Sequence, residues 1–279
     1  MDGADSSRRD DRLLPITRGL AAIIVPILTV AFGMLYLFPA RTDELFAWAL
    51  RPAMSAMMLG AAYLGGAYFF TRVVLAKQWH TVQLGLLPVA TFAGYLGVAT
   101  LLHWDKFNHA HVSFVLWAIL YLTLPFVIAF VWVRNRATDP RTPDADYPPL
   151  PLLVRRALMA VGALLVVVSL LLLLLPDVMI PTWPWTLSPL TARVMAALFV
   201  LPGVVALGIA RDGRWSAARI IVQAQIGALS LIVLALVLAR ADIDWSRAVA
   251  WTFAGGMVVL GALLSILYVT MERRRGLSG

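Results

Sequence analysis

Long uninterrupted apolar segments constrain this chain more than any other feature of its sequence. The segment from Val161 to Leu175 is apolar throughout except for Ser169. A helix that crosses the hydrocarbon core of a bilayer needs about 20 mostly apolar residues. Strands of a membrane barrel alternate apolar and polar residues over about 10 positions, and this segment does not alternate. The pattern therefore predicts membrane-spanning helices.

Eight segments of this kind lie between charged residues and prolines. The predicted spans are residues 16–38, 52–75, 82–102, 111–133, 157–175, 190–210, 217–239 and 247–271. The chain is 61% hydrophobic, whereas a soluble domain has about 45–50% apolar residues. The first span has no convincing cleavage site of small residues, so we expect it to remain as a membrane helix. The predicted fold class is an all-α integral membrane protein of eight helices.

The net charge of +8 and the pI near 10.4 reflect topology in this interpretation. Lys and Arg are concentrated in the N-terminal tail, the even-numbered loops and the C-terminus, and the opposite loops hold few of them. Short cytoplasmic loops carry such an excess, which predicts cytoplasmic N- and C-termini. Arginines near the membrane surface attract anionic headgroups. We therefore expect membrane lipids, and not nucleic acid, as the partners of these charges.

The two halves of the chain resemble each other at an offset of about 137 residues. Pro39 corresponds to Pro176, the segment 46–52 (FAWALRP) to 183–189 (WPWTLSP), and Trp79 to Trp215. Near residue 107 the alignment pairs Phe107-Asn108 with Trp245-Ser246. Each half contains an even number of spans, so both have the same orientation. The pattern predicts two parallel four-helix repeats related by an axis along the membrane normal.

The repeats define the domain organisation. The predicted units are a cytoplasmic tail (1–15), the first transmembrane repeat (16–133), a cytoplasmic linker (134–156), the second repeat (157–271) and a second cytoplasmic tail (272–279). The linker is rich in Pro, Asp and Arg and has no apolar periodicity, as is typical of a spacer.

The loop between the third and fourth spans holds three of the chain's four histidines. His103, Asp105, His109 and His111 carry side chains that bind first-row metals. Their spacing matches no structural zinc or di-iron pattern, and the second repeat has no histidine in the corresponding loop. We assign no metal here and expect headgroup-level structure.

Aromatic residues beside this loop fit the interfacial belt of a membrane protein. Trp48, Trp104, Trp183 and Trp185 are expected at the outer interface, and Trp79 and Trp215 at the inner one. Asn108 and Ser246 are interpreted as N-caps of the spans that follow them.

Polar residues inside the spans are few. Arg193 lies near the outer end of the sixth span, where its side chain either extends to the headgroups or binds an anion or a neighbouring helix, with Asp177 as a possible partner. Gln223 and Gln225 are two residues apart, so they lie on different faces of the seventh helix. Glutamines in such positions usually hydrogen-bond a neighbouring helix.

Two features bear on helix packing. Ala61, Gly65 and Gly66 of the second span and Gly255, Gly256 and Gly261 of the eighth indicate close helix contact. Pro26, Pro88, Pro125 and Pro202 interrupt four spans, and broken helices are one mark of transporter sites.

The inventory of reactive groups is small. The chain has no cysteine, none of its Asp, Glu or Lys residues lies at mid-depth of a predicted span, and no nucleotide-binding loop is recognisable. We therefore assign no catalytic residue and no cofactor, and leave open whether the protein is an enzyme.

Three functions remain open on sequence alone. The first is a non-catalytic partner or scaffold subunit, which requires packing surfaces on another membrane protein. The second is a transporter or lipid-translocating protein with a site between the repeats, whose small-molecule ligand the sequence does not identify. The third is an extracytoplasmic metal-dependent enzyme that uses the loop from His103 to His111.

The abundance of Arg over Lys, with much Ala, Leu and Val, indicates the plasma membrane of a GC-rich bacterium.

Overall fold

A computed structural model describes residues 9–142 and 146–276. The first eight residues of the predicted N-terminal tail, residues 143–145 of the linker and residues 277–279 of the C-terminal tail lie outside the described part. Within that part the chain is helical and contains no strand. Two isolated β-bridges join Arg12 to Gln78 and Pro149 to Arg214.

Eight long helices account for most of the structure. They are α1 (Pro15–Phe32, continued by a π-helical turn Gly33–Leu37), α2 (Ala53–Leu75), α3 (Gln83–Leu102), α4 (Val112–Asn135), α5 (Leu152–Leu174), α6 (Pro189–Asp212), α7 (Trp215–Leu238) and α8 (Ala248–Gly276). All eight are long and apolar enough to cross a membrane. The expectation of an all-helical, multi-pass membrane protein is thus confirmed at this level.

Two helices extend well beyond the predicted spans because their charged residues are accommodated within the fold. α5 begins at Leu152, directly after Pro151. Its Arg155 donates hydrogen bonds to the carbonyls of Ala210 and Arg211 at the end of α6, at 2.8 and 3.3 Å. α8 runs to Gly276, with three arginines in its last turn, where cations complement the helix dipole.

The helices form an inner and an outer set. In the most apolar part of each inner helix (α2, α3, α6 and α7), 39% to 61% of the residues are buried, against 6% to 28% in the outer helices. Each outer helix packs mainly on one inner helix: α1 on α2, α4 on α3, α5 on α6 and α8 on α7. Across the centre, α2 packs on α7 and α3 on α6. The two halves therefore meet through their inner helices.

The two ends of the bundle differ in chemistry. The start of α1, the connections α2–α3, α4–α5 and α6–α7 and the end of α8 form the arginine-rich end. The remaining connections, including the loop from His103 to His111, form the opposite end. Each end has its own cluster of buried apolar side chains.

Most tryptophans expected in the interfacial belts are buried inside these clusters. Trp48, Trp183 and Trp185 are at most 5% exposed at the opposite end, and Trp79 and Trp215 are fully buried at the arginine-rich end. The belt interpretation is wrong for these five residues, because their rings pack inside the buried apolar clusters at the two ends of the bundle. Trp104, in contrast, is exposed.

The expected N-caps also differ. α4 begins at Val112, and the Nδ1 atom of His111 accepts the hydrogen bond from the Ser113 amide at 3.2 Å. Asn108 instead donates its backbone amide to the Ala47 carbonyl, which fastens this loop to the preceding one. Ser246 donates its amide and hydroxyl to Asp244, so Asp244 is the accepting side chain in that loop.

Two expectations about helix packing need correction. Pro26, Pro88, Pro125 and Pro202 each lie inside a continuous helix, so the helices are not broken there. Gly255 and Gly256 are exposed, and a Cβ added to either would meet nothing within 4 Å. Small residues mark a close contact in α2, as expected, but not at these two positions of α8.

Candidate functional site: an apolar cavity at mid-depth

The contact between α2 and α7 is close because Gly65 has no side chain. A Cβ added to Gly65 would lie 3.1 Å from the Ala224 carbonyl oxygen and 3.1 Å from the Ala228 Cβ. Small residues at such crossings allow the backbones to approach. The two halves of the chain touch here, near the middle of both helices.

A cavity of about 150 Å³ lies beside this crossing. It is lined by residues of α2, α5, α6, α7 and α8, with Val89 from α3. Val161 of α5 lines the cavity and is 39% exposed, so the cavity lies near the outer surface of the bundle, between α5 and α8.

Gln225 is the one polar side chain among the described residues that line the cavity. It lies ten residues from the start of α7, or about 15 Å at 1.5 Å per residue. This distance is about half the thickness of a hydrocarbon core of about 30 Å. Gln225 is half-buried, and its amide makes no hydrogen bond to another described residue. An amide at this depth requires a partner, because lipid tails offer none.

Pro202 adds a second polar feature to the same cavity. Proline has no backbone N–H, so the carbonyl of Leu198, four residues earlier in α6, receives no helical hydrogen bond from it. Both residues line the cavity. An otherwise apolar space is thus bordered by one amide and one carbonyl that lacks its helical donor.

Gln223, the other glutamine of α7, does not line this cavity. Its Nε2 donates to the Tyr268 hydroxyl of α8 at 2.6 Å, and its Oε1 accepts from the Tyr68 hydroxyl of α2 at 2.7 Å. The expected hydrogen bonding to neighbouring helices is therefore confirmed for Gln223, whereas Gln225 faces the cavity.

The metal-binding candidates at the opposite end turn to separate partners. His109 donates from Nε2 to the Trp104 carbonyl at 2.8 Å, and His111 accepts from the Ser113 amide. Asp105 is exposed and forms an ion pair with the adjacent lysine at 2.9 Å. In the described ranges, no group of three or more His, Asp or Glu side chains is arranged to hold a metal ion.

Arg193 binds across the two halves. Its Nε donates to the Leu173 carbonyl of α5 at 3.1 Å, and its Nη1 donates to Nε2 of His103 at 2.7 Å. Burial and the nearby Arg193 charge lower the pKa of His103, so His103 is neutral at pH 7 and accepts this bond. Arg193 therefore binds neighbouring helices, which is one of the alternatives expected from the sequence. Its side-chain partner is His103 and not Asp177.

Sequence reasoning missed a charged cluster at the arginine-rich end. Arg214 donates two hydrogen bonds of 2.9 Å to Asp139, beyond α4, and also binds Asp212 at 2.7 Å. Burial alone would raise the pKa of Asp139, but the Arg214 bonds and the Arg141 amide lower it to about 2. Gln83, at the start of α3, donates to Asp139 at 2.7 Å. The cluster joins the two halves, and no motif in the sequence indicates it.

A second missed pair involves the histidine outside the loop. His80 Nδ1 lies 2.5 Å from an Asp11 carboxylate oxygen, and both side chains are buried. The Trp79 amide donates to the Asp11 carbonyl at 2.7 Å. This pair holds the segment before α1 against the α2–α3 connection. No local pattern in the sequence indicates this pair, because the two residues are 69 positions apart.

Comparison with protein-family models, with curated proteins and with solved structures finds no match to this chain.

Proposed function

We propose that this membrane protein binds an apolar molecule with a single hydrogen-bonding group, such as part of a lipid or an isoprenoid, in the cavity beside α2 and α7. The observation that carries the proposal is the Gln225 amide, which has no described hydrogen-bond partner and borders an otherwise apolar cavity at mid-depth. Ligand sites are typically apolar spaces with a few placed polar groups.

The lining selects against polar ligands. Burying a polar group without a compensating hydrogen bond is unfavourable, and the cavity offers one amide and the Leu198 carbonyl as partners. An apolar cavity of about 150 Å³ stays dry and can hold a benzene-sized molecule. A ring or a few methylene groups with one oxygen therefore match the site, and the rest of such a molecule would extend between α5 and α8 into the bilayer.

The lipid-translocating alternative depends on the arrangement of two parallel repeats, which we also propose. Helix pairing supports it: α1 on α2 corresponds to α5 on α6, and α4 on α3 to α8 on α7. The central contacts follow the same correspondence. Replacing α2 and α7 by their counterparts α6 and α3 turns one central contact into the other. A two-fold axis along the membrane normal would produce this set of pairs.

Equivalent hydrogen bonds give independent support to the repeat. Asn108 donates its amide to Ala47 at 3.0 Å, and Asp244 donates its amide to Pro184 at 3.0 Å. The two isolated β-bridges also correspond to each other. These bonds align Asn108 with Asp244, which replaces the alignment with Ser246 inferred from sequence.

The orientation and location belong to the same proposal. The concentration of arginine at one end of the bundle favours a cytoplasmic position for that end and for both termini. A bacterial plasma membrane is consistent with the composition.

A photoactivatable lipid analogue tests the binding proposal. The full chain in nanodiscs would be labelled with a lipid that carries a diazirine midway along one acyl chain, and adducts would be mapped by mass spectrometry. We expect adducts on cavity residues of α6 and α7. Ala62→Phe places a ring in the cavity and should reduce these adducts at least about fivefold, equivalent to about 1 kcal/mol. Leu164→Phe, at an exposed position of α5, is the matched control.

Gln225→Leu tests the role of the amide. This variant should still take up the acyl chain but lose its preference for an analogue that carries a hydroxyl or a carbonyl over the plain hydrocarbon. Ser230→Leu, an exposed position on the same helix, should leave the preference unchanged. Equal labelling of Ala62→Phe and the parent protein, at the same residues, would overturn the proposal.

A partner subunit is the second candidate function, and α8 is the observation that favours it. Only 6% of the most apolar part of α8 is buried, and Gly255 and Gly256 leave its surface open. Small residues on an apolar helix allow close approach by another transmembrane helix. Because the chain has no cysteine, Gly256→Cys would be a unique cross-linking position. We expect it to cross-link to a membrane helix more efficiently than Leu164→Cys on α5; equal efficiency would indicate lipid contact alone.

The extracytoplasmic enzyme interpretation gains no support. His103, His109 and His111 each bind a different protein group, and the structure does not bring them onto one ligand.

A further inference from the structure

A second cavity, of about 360 Å³, lies at the arginine-rich end between the halves. Its walls come from the end of α2, the α2–α3 connection, Tyr147 of the linker and the first turns of α7. Gln225 lies on another face of α7 and does not line it. This cavity is therefore separate from the apolar one.

Among the described residues, three cations and no acidic side chain line this second cavity. They are Arg72, Lys77 and Arg219. Arg219 binds Glu272 through its Nε at 2.9 Å and makes no other side-chain hydrogen bond to described residues. Arg72 donates to the Tyr68 hydroxyl at 3.2 Å, and Lys77 has no ion pair with a described residue. Positive charge at this site therefore exceeds the negative charge that the described residues supply.

Ser216 is an independent sign of a missing ligand. It lines the cavity and is only 4% exposed, and its hydroxyl has no hydrogen-bond partner among the described residues. Buried hydroxyls in native proteins are normally hydrogen-bonded. The hydroxyl oxygen itself is shielded, and a rotation of this side chain toward a group bound in the cavity would give it that partner.

The start of α7 contributes further donors. The first backbone bond of this helix runs from the Ala218 amide to the Arg214 carbonyl at 3.2 Å, and no side chain caps the helix. The amides before Ala218 thus lack helical acceptors. Such a helix start favours anions, because its amides and dipole both present positive charge.

We propose that this cavity binds a phosphate group, carried by a membrane lipid or by a soluble phosphate ester. A phosphate carries about −1.5 to −2 charge with several strong acceptor oxygens, which matches three cations, a hydroxyl and a helix start better than a carboxylate does. The cavity is larger than a phosphate, and Leu75, Ile220 and the Tyr147 ring supply apolar surface for the rest of the ligand. This inference does not depend on the apolar cavity.

The test compares two sources of phosphate on the intact chain. In one arm, nanodiscs of phosphatidylcholine with or without phosphatidic acid are analysed by native mass spectrometry for retained anionic lipid. In the other, glycerol 3-phosphate, with inorganic sulfate as the reference anion, is titrated into protein in neutral detergent. Retention in the first arm alone identifies a lipid headgroup, and saturable binding in the second identifies a soluble ester. No selective binding in either arm overturns the proposal.

Ser216→Ala separates ligand binding from folding. Because the hydroxyl has no described partner, its removal should leave the melting temperature of the unliganded protein unchanged or slightly higher. Binding should weaken at least about threefold. Lys77→Gln should also weaken binding without unfolding the chain, and Arg72→Gln should weaken it about tenfold. Arg156→Gln, an arginine of α5 that does not line the cavity, is the control. An equal loss of binding in this variant would mean that the ligand responds only to general surface charge, and it would overturn the proposal.

Discussion

Individual charged residues at the arginine-rich end are held by partners that are distant in sequence. Arg214 and Asp139 are 13% and 5% exposed as side chains, and Arg214 lies in the second half whereas Asp139 lies in the linker. Removing one member of a buried pair leaves the other uncompensated, which is costly. The Asp139–Arg214 bond should therefore contribute to how firmly the halves are joined.

Asp139→Asn should lower the free energy of unfolding by about 1–2 kcal/mol at pH 7, after allowance for solvent screening. The pKa of Asp139 is lowered to about 2 in the folded protein, against about 3.9 in an unfolded chain. The contribution is thus fully present above pH ~4 and is lost as the pH falls toward 2. Thermal unfolding of both proteins in detergent between pH 7 and pH 2 measures it.

The matched control is Asp177→Asn, since Asp177 is exposed. It should change stability little at any pH. A difference between Asp139→Asn and the parent protein that stayed constant down to pH 2 would contradict the assignment.

At the scale of the helices, the length of each apolar segment predicts where the spans lie. It does not predict how far the helices extend beyond the apolar segments. The ends of α2 and α3 agree with the sequence to within one residue, because charges and prolines limit the apolar runs there. α5 and α8 are longer because Arg155 and Glu272 bind neighbouring helices. Those bonds depend on packing, which a linear pattern does not contain.

Small residues illustrate the same limit. The sequence groups Gly65 with Gly255 and Gly256, yet only Gly65 touches another helix backbone. The sequence pattern does not distinguish these glycines. Predicting which of them makes a contact requires knowing which face of each helix another helix covers. The transporter alternative expected a site between the repeats, but of the residues that line the apolar cavity only Gln225 stands out in the sequence.

Gly65→Leu should destabilise the protein by about 1–3 kcal/mol, the usual cost of overpacking. Its Cβ would meet the Ala224 carbonyl and the Ala228 side chain at 3.1 Å. Gly227→Leu, where a Cβ meets nothing within 4 Å, should leave stability unchanged or raise it. Detergent-solubilised melting curves compare the two, and equal losses would mean that the α2–α7 contact is not as close as described.

For the whole molecule, charge asymmetry predicts how the bundle lies in the membrane. Reporter fusions after Arg141 and at Gly279 should be cytoplasmic, and one at Lys106 external, because the arginine-rich connections resist translocation. Alkaline phosphatase and a cytoplasmic fluorescent reporter give opposite signals at each position. An external reporter at Gly279, a residue outside the described part, would rule out eight spans with both termini inside.

The contacts that join the two halves are the property of the whole molecule that was hardest to predict from the sequence. Repeat landmarks suggested two similar units, but nothing in them indicated that α2 would pack on α7 and α3 on α6. These contacts are formed by apolar side chains with little local signal. They also place Gln225 in a cavity rather than at a helix contact.

A disulfide can test this joining directly, because the chain contains no cysteine. A Cβ on Gly65 would lie 3.1 Å from the Ala228 Cβ, and a disulfide requires about 3.5–4.5 Å, which a shift of the two helices by roughly 0.5–1 Å would supply. Gly65→Cys with Ala228→Cys should therefore oxidise readily within one chain. A protease site inserted after Arg141 would then yield two halves that migrate together without reductant and separate with it. Gly65→Cys with Gly255→Cys, whose second position is exposed, should not form the bond. If the first pair formed only bonds between chains, α2 would pack on α7 of another copy, and both cavities would belong to a dimer instead of a single chain.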